Sequence, residues 1–215
     1  MAAPRFIVLE GVEGSGKSTQ IRLLDAWLES LGLDHVRARE PGGTRVGEEI
    51  RSVLLHGDDM AIPPETELLL MLAARAAFVR EVVRPALEAG RTVLADRFDF
   101  STFAYQGYGR GLDHDLVREL NRFATGGLTP DLVVVLDLPA EEGRRRQARE
   151  GKTLDRIERA GEGFLERVRE GYRALASSEG HARVIDARGT PEEVHARLRA
   201  LLQSSFPETF RHSPV

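Results

Sequence analysis

A glycine-rich segment near the start of the chain constrains the possible folds more than any other feature. Residues 11–18 read Gly-Val-Glu-Gly-Ser-Gly-Lys-Ser and match the pattern G-x-x-x-x-G-K-[ST]. The segment follows a short apolar run at residues 6–9 and precedes apolar residues at helical spacing that continue to Gly32. Strand, loop and helix in this order are the context that a phosphate-binding loop requires. The sequence therefore predicts a phosphate-binding site at this point of the chain.

The residue types in the loop suit a polyphosphate. Glycines at 11, 14 and 16 let the backbone curl closely enough for several N–H groups to meet phosphate oxygens. The start of the following helix adds partial positive charge, Lys17 adds an ammonium for the β- and γ-phosphates, and the Ser18 hydroxyl can ligate Mg²⁺. The residues assigned to nucleotide binding are Gly11, Val12, Glu13, Gly14, Ser15, Gly16, Lys17, Ser18 and Thr19.

The rest of the chain predicts an alternation of strands and helices. Strand-like apolar runs lie at residues 6–9, 35–38, 92–95, 132–138 and 183–186. Helical patterns cover residues 46–55, 65–89, 113–124, most of 140–178 and 191–202. The stretch between Arg97 and Asp113 is rich in glycine and aromatic residues and predicts a loop. This order predicts an α/β fold, a three-layer, doubly wound parallel sheet in one domain over residues 1–203, with a polar tail that frays from Ser204.

Composition limits the classes of function. The 215 residues carry 30 Lys and Arg against 34 Asp and Glu, a net charge of −4, which argues against a protein that coats polymeric nucleic acid. The absence of cysteine excludes disulfides and thiolate metal sites. No signal-peptide pattern and no apolar run of about 20 residues is present, so we expect no membrane contact and a cytoplasmic location.

Asp96 and Arg97 directly follow the third predicted strand. Open α/β sheets bind ligands at the carboxyl ends of their strands. A carboxylate at that edge can hold Mg²⁺, directly or through water, and a neighbouring guanidinium can bind a phosphate. The alternative is an ion pair on the surface, and the phosphate loop favours the first interpretation.

A basic segment follows the fourth predicted strand. Its basic residues are Arg144, Arg145, Arg146, Arg149, Lys152, Arg156 and Arg159. A break at residues 151–153 suits a mobile lid over about residues 141–159, in which Arg145 and Arg149 share a helical face and Arg156 reaches back from beyond the break. An arginine lid would stabilise the charge of a transferred phosphoryl group and exclude water. The alternative is a solvated, charged helix face.

Together these segments resemble the thymidylate kinase family of bacterial type, from residue 6 to about Tyr172. The motifs are the phosphate loop with acidic Glu13, Arg39-Glu40-Pro41-Gly42-Gly43-Thr44, Ala73-Ala74-Arg75, Asp96-Arg97, Ser101-Thr102, Ala104-Tyr105-Gln106-Gly107, Pro130-Asp131-Leu132 and Leu154-Asp155-Arg156-Ile157-Glu158. The resemblance implies the fold of a phosphate-loop nucleoside monophosphate kinase. It also implies transfer of the γ-phosphoryl group of ATP to dTMP with Mg²⁺, giving dTDP.

The resemblance implies roles for residues on the acceptor side. Arg75 and Gln106 are expected to face the thymine and the sugar. Thr102 is expected near the base, and Tyr105 near the sugar edge where a ribose 2′-hydroxyl would crowd. The arginines expected to hold the acceptor phosphate are Arg39, Arg51 and Arg97.

The acidic residue of the loop bears on where the catalytic arginine lies. In the family subtype with an acid at Glu13, the resemblance places that arginine in the lid, where Arg149 fits best. A loop that offers a carboxylate cannot itself supply the positive charge. The expected catalytic set is Lys17, Arg97, Arg149 and Glu13, with Ser18 and Asp96 at the metal.

One position departs from the family pattern. Met71 stands where the family usually has an aromatic residue that stacks on thymine, four positions before Arg75. A methionine can lie against a ring, but it gives a less defined platform. A contact with the base and a place in the helix core both remain open for Met71.

Function and assembly each leave alternatives. A kinase for another nucleotide or nucleoside, or a phosphate-loop ATPase or switch, are the rivals to a dTMP kinase. The lack of an N-K-x-D motif disfavours a GTPase of the switch type. The resemblance implies a homodimer, and the apolar residues 68–83 could form its interface or belong to the core of a monomer.

Overall fold

A computed structural model describes residues 3–56, 61–149, 151 and 155–210. In these residues, five parallel strands form one sheet in the order β2-β3-β1-β4-β5. The strands are β1 (Phe6–Glu10), β2 (His35–Arg39), β3 (Thr92–Asp96), β4 (Leu132–Asp137) and β5 (Ala182–Asp186). The predicted parallel α/β architecture is confirmed, and each strand begins and ends within one residue of its predicted limits.

Helices cover both faces of the sheet. They are α1 (Lys17–Ser30), α2 (Arg45–His56), α3 (Pro64–Phe78), α4 (Arg84–Glu88), α5 (Asp99–Thr102), α6 (His114–Thr125), α7 (Ala140–Arg149), α8 (Glu162–Ser178) and α9 (Pro191–Ser205). A π-helical segment, Val79–Val83, joins α3 to α4, so the long helix predicted over residues 65–89 is continuous. Thr190 caps α9 through a capping box with Glu193, as its sequence predicts.

Alternation along the strands builds two cores. Phe6 and Val8 of β1 pack on one face, largely against α3 and α8, whereas Ile7 and Leu9 pack on the other against α1 and α9. All five residues of β1 are buried. Each large apolar side chain buried in this way stabilises the fold by about 1.5–3 kcal/mol. The first strand is therefore a rigid base for the loop that follows it.

The register of the sheet brings polar residues to one edge. Asp96 pairs with Leu9 of β1 and with Arg39 of β2, and Glu10 pairs with Val135. Because the strands are parallel, their carboxyl ends meet at the same edge. The residues that follow β1, β2 and β3 are consequently neighbours in space.

Two predictions about local structure are wrong. The predicted loop after Arg97 is helical: α5 continues into a π-helical segment, Phe103–Gly109. The chain also does not fray from Ser204, since α9 extends to Ser205 and Phe210 is fully buried. Phe210 stacks on Trp27 with their ring centroids 5.6 Å apart, and this contact fixes the segment. Residues 211–215 lie outside the described part of the chain.

Candidate active site

One cavity of about 610 Å³ opens at the carboxyl edge of the sheet. The predicted site residues that line it are Glu13, Gly14, Ser15, Gly16, Lys17, Ser18, Thr19, Arg39, Arg51, Met71, Arg75, Asp96, Arg97, Thr102, Tyr105, Gln106 and Arg149. Gly11 and Val12 lie behind this wall, and their carbonyl oxygens accept hydrogen bonds from Lys17. The structure thus places the predicted phosphate, acceptor and lid residues around a single space.

The phosphate loop has the geometry that its glycines permit. Gly16 has a φ of 92° immediately before α1, a left-handed conformation that residues with a side chain rarely adopt. The Lys17 ammonium donates to the carbonyl oxygens of Gly11 and Val12 at 2.8 and 2.9 Å. Burial, and to a smaller extent the nearby Arg97, lowers the pKa of Lys17 to about 8. The loop therefore holds its own cation in the position that a phosphate would approach.

Two oxygen donors meet beside the loop. The Ser18 hydroxyl, in the first turn of α1, donates to the Asp96 carboxylate at 3.2 Å. Asp96 ends β3 and is partly exposed to the cavity. A hydroxyl and a carboxylate are hard oxygen ligands of the kind that Mg²⁺ accepts. The pair therefore fits a magnesium ion bound together with a nucleotide.

Glu13 forms the centre of a buried charged cluster. Its Oε1 accepts hydrogen bonds from Arg97 Nη2 at 2.6 Å and from the Tyr105 hydroxyl at 2.5 Å. Burial alone would raise the pKa of Glu13, but the charges of Arg97 and Lys17 lower it, so the carboxylate is ionised at neutral pH. Arg97 has a φ of 74°, an unusual value for a residue with a side chain. These contacts fix its guanidinium beside the loop.

A second acid, Glu10, is connected to this cluster through Tyr172. Its carboxylate accepts from the backbone N–H groups of Phe98 and Ser101 at 2.8 and 3.1 Å. It also accepts from the Tyr172 hydroxyl at 2.9 Å, and that hydroxyl in turn accepts from Arg97 at 2.9 Å. Burial raises the pKa of Glu10 above its ordinary value. Glu10 therefore sets both the start of α5 and the position of Arg97.

Arg39 and Arg51, which are predicted to hold the acceptor phosphate, line the cavity. Arg39 is about half exposed and pairs with the Glu48 carboxylate at 2.9 Å. Arg51 donates to the carbonyl oxygen of Pro41 at 2.9 Å. Burial, and secondly the nearby Arg39, lowers the pKa of Arg51. Both guanidiniums keep donors near the cavity, so they can reach an anion within it.

Arg75 lies deeper and is held by the protein itself. Its guanidinium contacts the Glu40 carboxylate, the Thr102 hydroxyl, the Asn121 side-chain oxygen and the Phe98 carbonyl, all at 2.7–2.8 Å. Burial raises the pKa of Glu40 to about 7 in spite of the arginine beside it. A direct hydrogen bond from Arg75 to a base therefore requires one of these contacts to be exchanged.

Met71 and Gln106 also line the cavity. Met71 is half-buried and packs on the core while facing the cavity, so it is placed for both roles that its sequence left open. The Gln106 amide donates to Glu67 at 2.8 Å. Gln106 is therefore oriented by a buried acid to which the sequence analysis gave no role.

Helix α7, which forms the first part of the predicted lid, packs directly on the phosphate loop. A Cβ atom added at Gly14 would overlap the backbone of Gly143, and one added at Gly143 would overlap the carbonyl oxygen of Glu13. Arg146 and Arg149 line the cavity, whereas Arg145 pairs with Glu142 at 3.3 Å. The predicted break at residues 151–153 lies largely outside the described residues.

Arg156 does reach back from beyond the predicted break, but it contacts an acid. Its Nη2 lies 2.6 Å from the Glu67 carboxylate, and its Nε donates to the carbonyl oxygen of Leu54 at 3.0 Å. Sequence reasoning missed the acids Glu10 and Glu67 and the close approach at Gly143. An acidic residue at the end of an apolar strand was a visible signal for Glu10. No local signal marked the other two, because their partners are distant in sequence.

Comparisons with known proteins agree with this arrangement. The family model described as thymidylate kinase matches residues 9–198. A thymidylate kinase of Pelotomaculum thermopropionicum is 52% identical over 192 residues, which cover 89% of each chain. A thymidylate kinase of Kosmotoga olearia is 48% identical over 194 residues, covering 90% of this chain and 92% of that one. The crystal structure of thymidylate kinase from Ehrlichia chaffeensis superposes with a TM-score of 0.76 at 31% identity, over 94% of this chain and 100% of that chain. The chain belongs to the thymidylate kinase family.

Proposed function

We infer that the protein transfers the γ-phosphoryl group of ATP to dTMP and releases ADP and dTDP. The observation that carries this inference is one cavity in which a phosphate loop, a lid arginine and a buried acceptor end face one another. In the reaction, an acceptor phosphate oxygen forms a bond to the γ-phosphorus of ATP while the bond from the γ-phosphorus to the β,γ-bridging oxygen breaks, and that oxygen leaves with ADP. The acceptor is already an anion at neutral pH, so alignment and charge neutralisation suffice and no general base is needed.

The donor side is built from the loop and the end of β3. The backbone N–H groups of residues 11–19 and the ammonium of Lys17 would surround the β- and γ-phosphates. Ser18 and Asp96 would hold Mg²⁺, which would neutralise charge on the phosphates when bound. Lys17 would exchange its loop carbonyls for phosphate oxygens.

The acceptor side has a charged and a neutral part. Arg39, Arg51 and Arg97 would hold the dTMP phosphate. The residues assigned to the base and sugar are Met71, Arg75, Thr102, Tyr105 and Gln106. The pocket wall formed by Tyr105 is fixed by its hydrogen bond to Glu13, which leaves little freedom to admit a ribose 2′-hydroxyl.

Arg149 is assigned the transition-state charge. It lies on α7, whose backbone touches the loop at Gly143, and its exposed guanidinium borders the cavity. Glu13 prevents the loop from supplying this charge, because its carboxylate is already paired with Arg97. A lid arginine can approach as the site closes and stabilise the charge on the transferred group.

We also propose a cytoplasmic homodimer that assembles through α3 and α6. Several apolar residues in the stretch 68–83 are buried in the protein's own core, including Leu68, Leu72 and Phe78. Leu69 and Phe123 are 58% and 86% exposed, and their helices pack side by side. These two exposed apolar side chains on neighbouring helices support this surface as the interface. None of the helices in the described residues is long and apolar enough to span a bilayer.

A coupled assay of ADP release across a panel of acceptors tests the function. dTMP should give the highest kcat/KM, other nucleoside monophosphates should be poorer acceptors, and turnover should require Mg²⁺. Sedimentation analysis of the wild type and of Phe123→Glu tests the dimer. ATP turnover that is indifferent to any acceptor would contradict the assignment.

A further inference from the structure

A fully buried carboxylate on α3 joins Gln106, in the acceptor pocket, to Arg156, beyond the predicted break in the lid. Glu67 has no exposed surface, and it lies one helical turn before Met71 and two turns before Arg75. Residues four apart share a helix face, so the acid belongs to the same stripe as two residues of the cavity wall. A charge buried this completely is costly unless hydrogen bonds satisfy it.

Three side chains satisfy Glu67: two from the π-helical segment Phe103–Gly109 and its C-cap, and one from beyond the predicted break in the lid. Its Oε1 accepts from Gln106 at 2.8 Å and from Arg110 Nε at 3.2 Å. Its Oε2 accepts from Arg110 Nη2 at 3.1 Å and from Arg156 Nη2 at 2.6 Å. Burial alone would raise the pKa of Glu67, but the hydrogen bonds from these three partners lower it, so the group is an anion at neutral pH. One carboxylate thus faces two guanidiniums.

The partners differ in what they reach. Gln106 lines the acceptor end of the cavity. Arg156 stands between Asp155 and Ile157, which also line the cavity, and its second contact is the carbonyl oxygen of Leu54 on α2. Arg110 packs over the Phe164 ring, 4.6 Å from its centroid, away from the cavity wall. Two of the three partners therefore connect Glu67 to the reaction, and the third anchors it to the core.

We propose that Glu67 is a positioning residue that holds Gln106 in the acceptor pocket and, through Arg156, fixes residues 155–157 at the edge of the cavity. The proposal rests on the proposed function, since it assigns Glu67 to the same phosphoryl transfer. It gives the two guanidiniums unequal roles. Arg156 links Glu67 to the edge of the cavity, whereas Arg110 only neutralises the buried charge. This inequality separates positioning from a general contribution to stability.

The experiment compares Arg156→Gln with the matched control Arg110→Gln. Both remove a guanidinium from the same carboxylate, and the two side chains are similarly exposed, at 15% and 21%. We expect Arg156→Gln to lower kcat about tenfold or more, the loss expected for one hydrogen bond to a charged group. Arg110→Gln should keep kcat within about threefold, because it acts only on stability. Thermal unfolding of each variant shows that the kinetic measurements are made on folded protein.

Glu67→Gln tests the carboxylate itself. It should raise KM for dTMP through Gln106 and also lower kcat through Arg156. Combined with Arg156→Gln, it should reduce kcat no further than the worse single variant, since both act on one contact. If Glu67→Gln does not fold, the comparison of Arg156→Gln with Arg110→Gln still distinguishes a positioning role from a contribution to stability alone.

Several results would overturn the proposal. These are equal kinetic losses for the two arginine variants, wild-type kcat for Arg156→Gln, or losses that multiply in the double variant. Each of them can occur while the wild type phosphorylates dTMP normally. A wild type that fails to use dTMP would refute the proposed function instead, so the two failures are distinguishable.

Discussion

Gly143→Ala should separate catalysis from stability in this protein. Gly143 lies inside α7, where replacing glycine by alanine ordinarily stabilises a helix by about 1 kcal/mol. Here the added Cβ would lie under 3.0 Å from the carbonyl oxygen of Glu13, closer than real Cβ atoms come. The obstacle is backbone and cannot rotate away, so α7 and the phosphate loop must separate by about 1 Å.

The two effects partly cancel in stability but not in turnover. Overpacking costs about 1–3 kcal/mol, and the helix gain offsets about 1 kcal/mol, so the net loss is about 0–2 kcal/mol. For a chain of this size, such a loss lowers Tm by a few degrees only. Displacing catalytic groups by about 1 Å can reduce the rate about 100-fold. We therefore expect a large loss in kcat/KM with nearly normal unfolding.

Steady-state kinetics with dTMP and ATP, together with thermal unfolding, measure both quantities. Gly163→Ala in α8 is the matched control, because its added Cβ would have Arg167 Nη1 as its nearest neighbour, at an ordinary 3.8 Å. That variant should keep wild-type kinetics and equal or slightly higher stability. If Gly143→Ala retained kcat/KM within about threefold of wild type, the loop would not depend on its contact with α7.

Three other changes probe the cavity. Burial holds the pKa of Lys17 at about 8, and only the ammonium pairs with phosphate. ATP affinity, measured by calorimetry, should therefore fall as pH rises through about 8, and Lys17→Met should abolish that dependence. Arg149→Ala should lower kcat by about 10²–10³-fold with little change in KM for ATP, and a change confined to KM would contradict its transition-state role. Met71→Phe should leave kcat unchanged and tighten dTMP binding if Met71 meets the base; an unchanged Kd would assign Met71 to the core.

The fold was predictable where local patterns set it. Apolar runs and helix caps are local, and they predicted every strand of the sheet. Residues 99–109 were predicted wrongly, because their helix depends on distant partners. The backbone N–H groups of Phe98 and Ser101, at the start of α5, donate hydrogen bonds to Glu10, which is about 90 positions away in the sequence. Gly109 contributed to the loop prediction, but it lies in the helical segment. A glycine is needed there because a Cβ atom would overlap the Phe164 ring.

The site was predictable to the extent that motifs carry it. The phosphate loop and Asp96 are fixed by strand ends, so their meeting follows from a parallel sheet. Glu67 stands near the start of a helix, where acidic residues are common for electrostatic reasons alone. Its pairing with Arg156 spans 89 positions of sequence. Residue types suggest such a pair, but only the packing of α3 against residues 155–157 brings Glu67 and Arg156 together.

The charge around the loop explains why other elements must complete the site. Three carboxylates (Glu10, Glu13 and Asp96) lie among two cations, Lys17 and Arg97, before any nucleotide binds. A triphosphate and an acceptor phosphate add several negative charges to a space from which water is excluded as it closes. Burial raises the pKa of Glu10, whereas the charges of Arg97 and Lys17 lower that of Glu13, so both cations already neutralise carboxylates of the protein. The balance must come from a bound divalent cation and from the arginines at the rim. Because those arginines lie on α2, α7 and the end of β2, three separate elements must each present a guanidinium to the substrates.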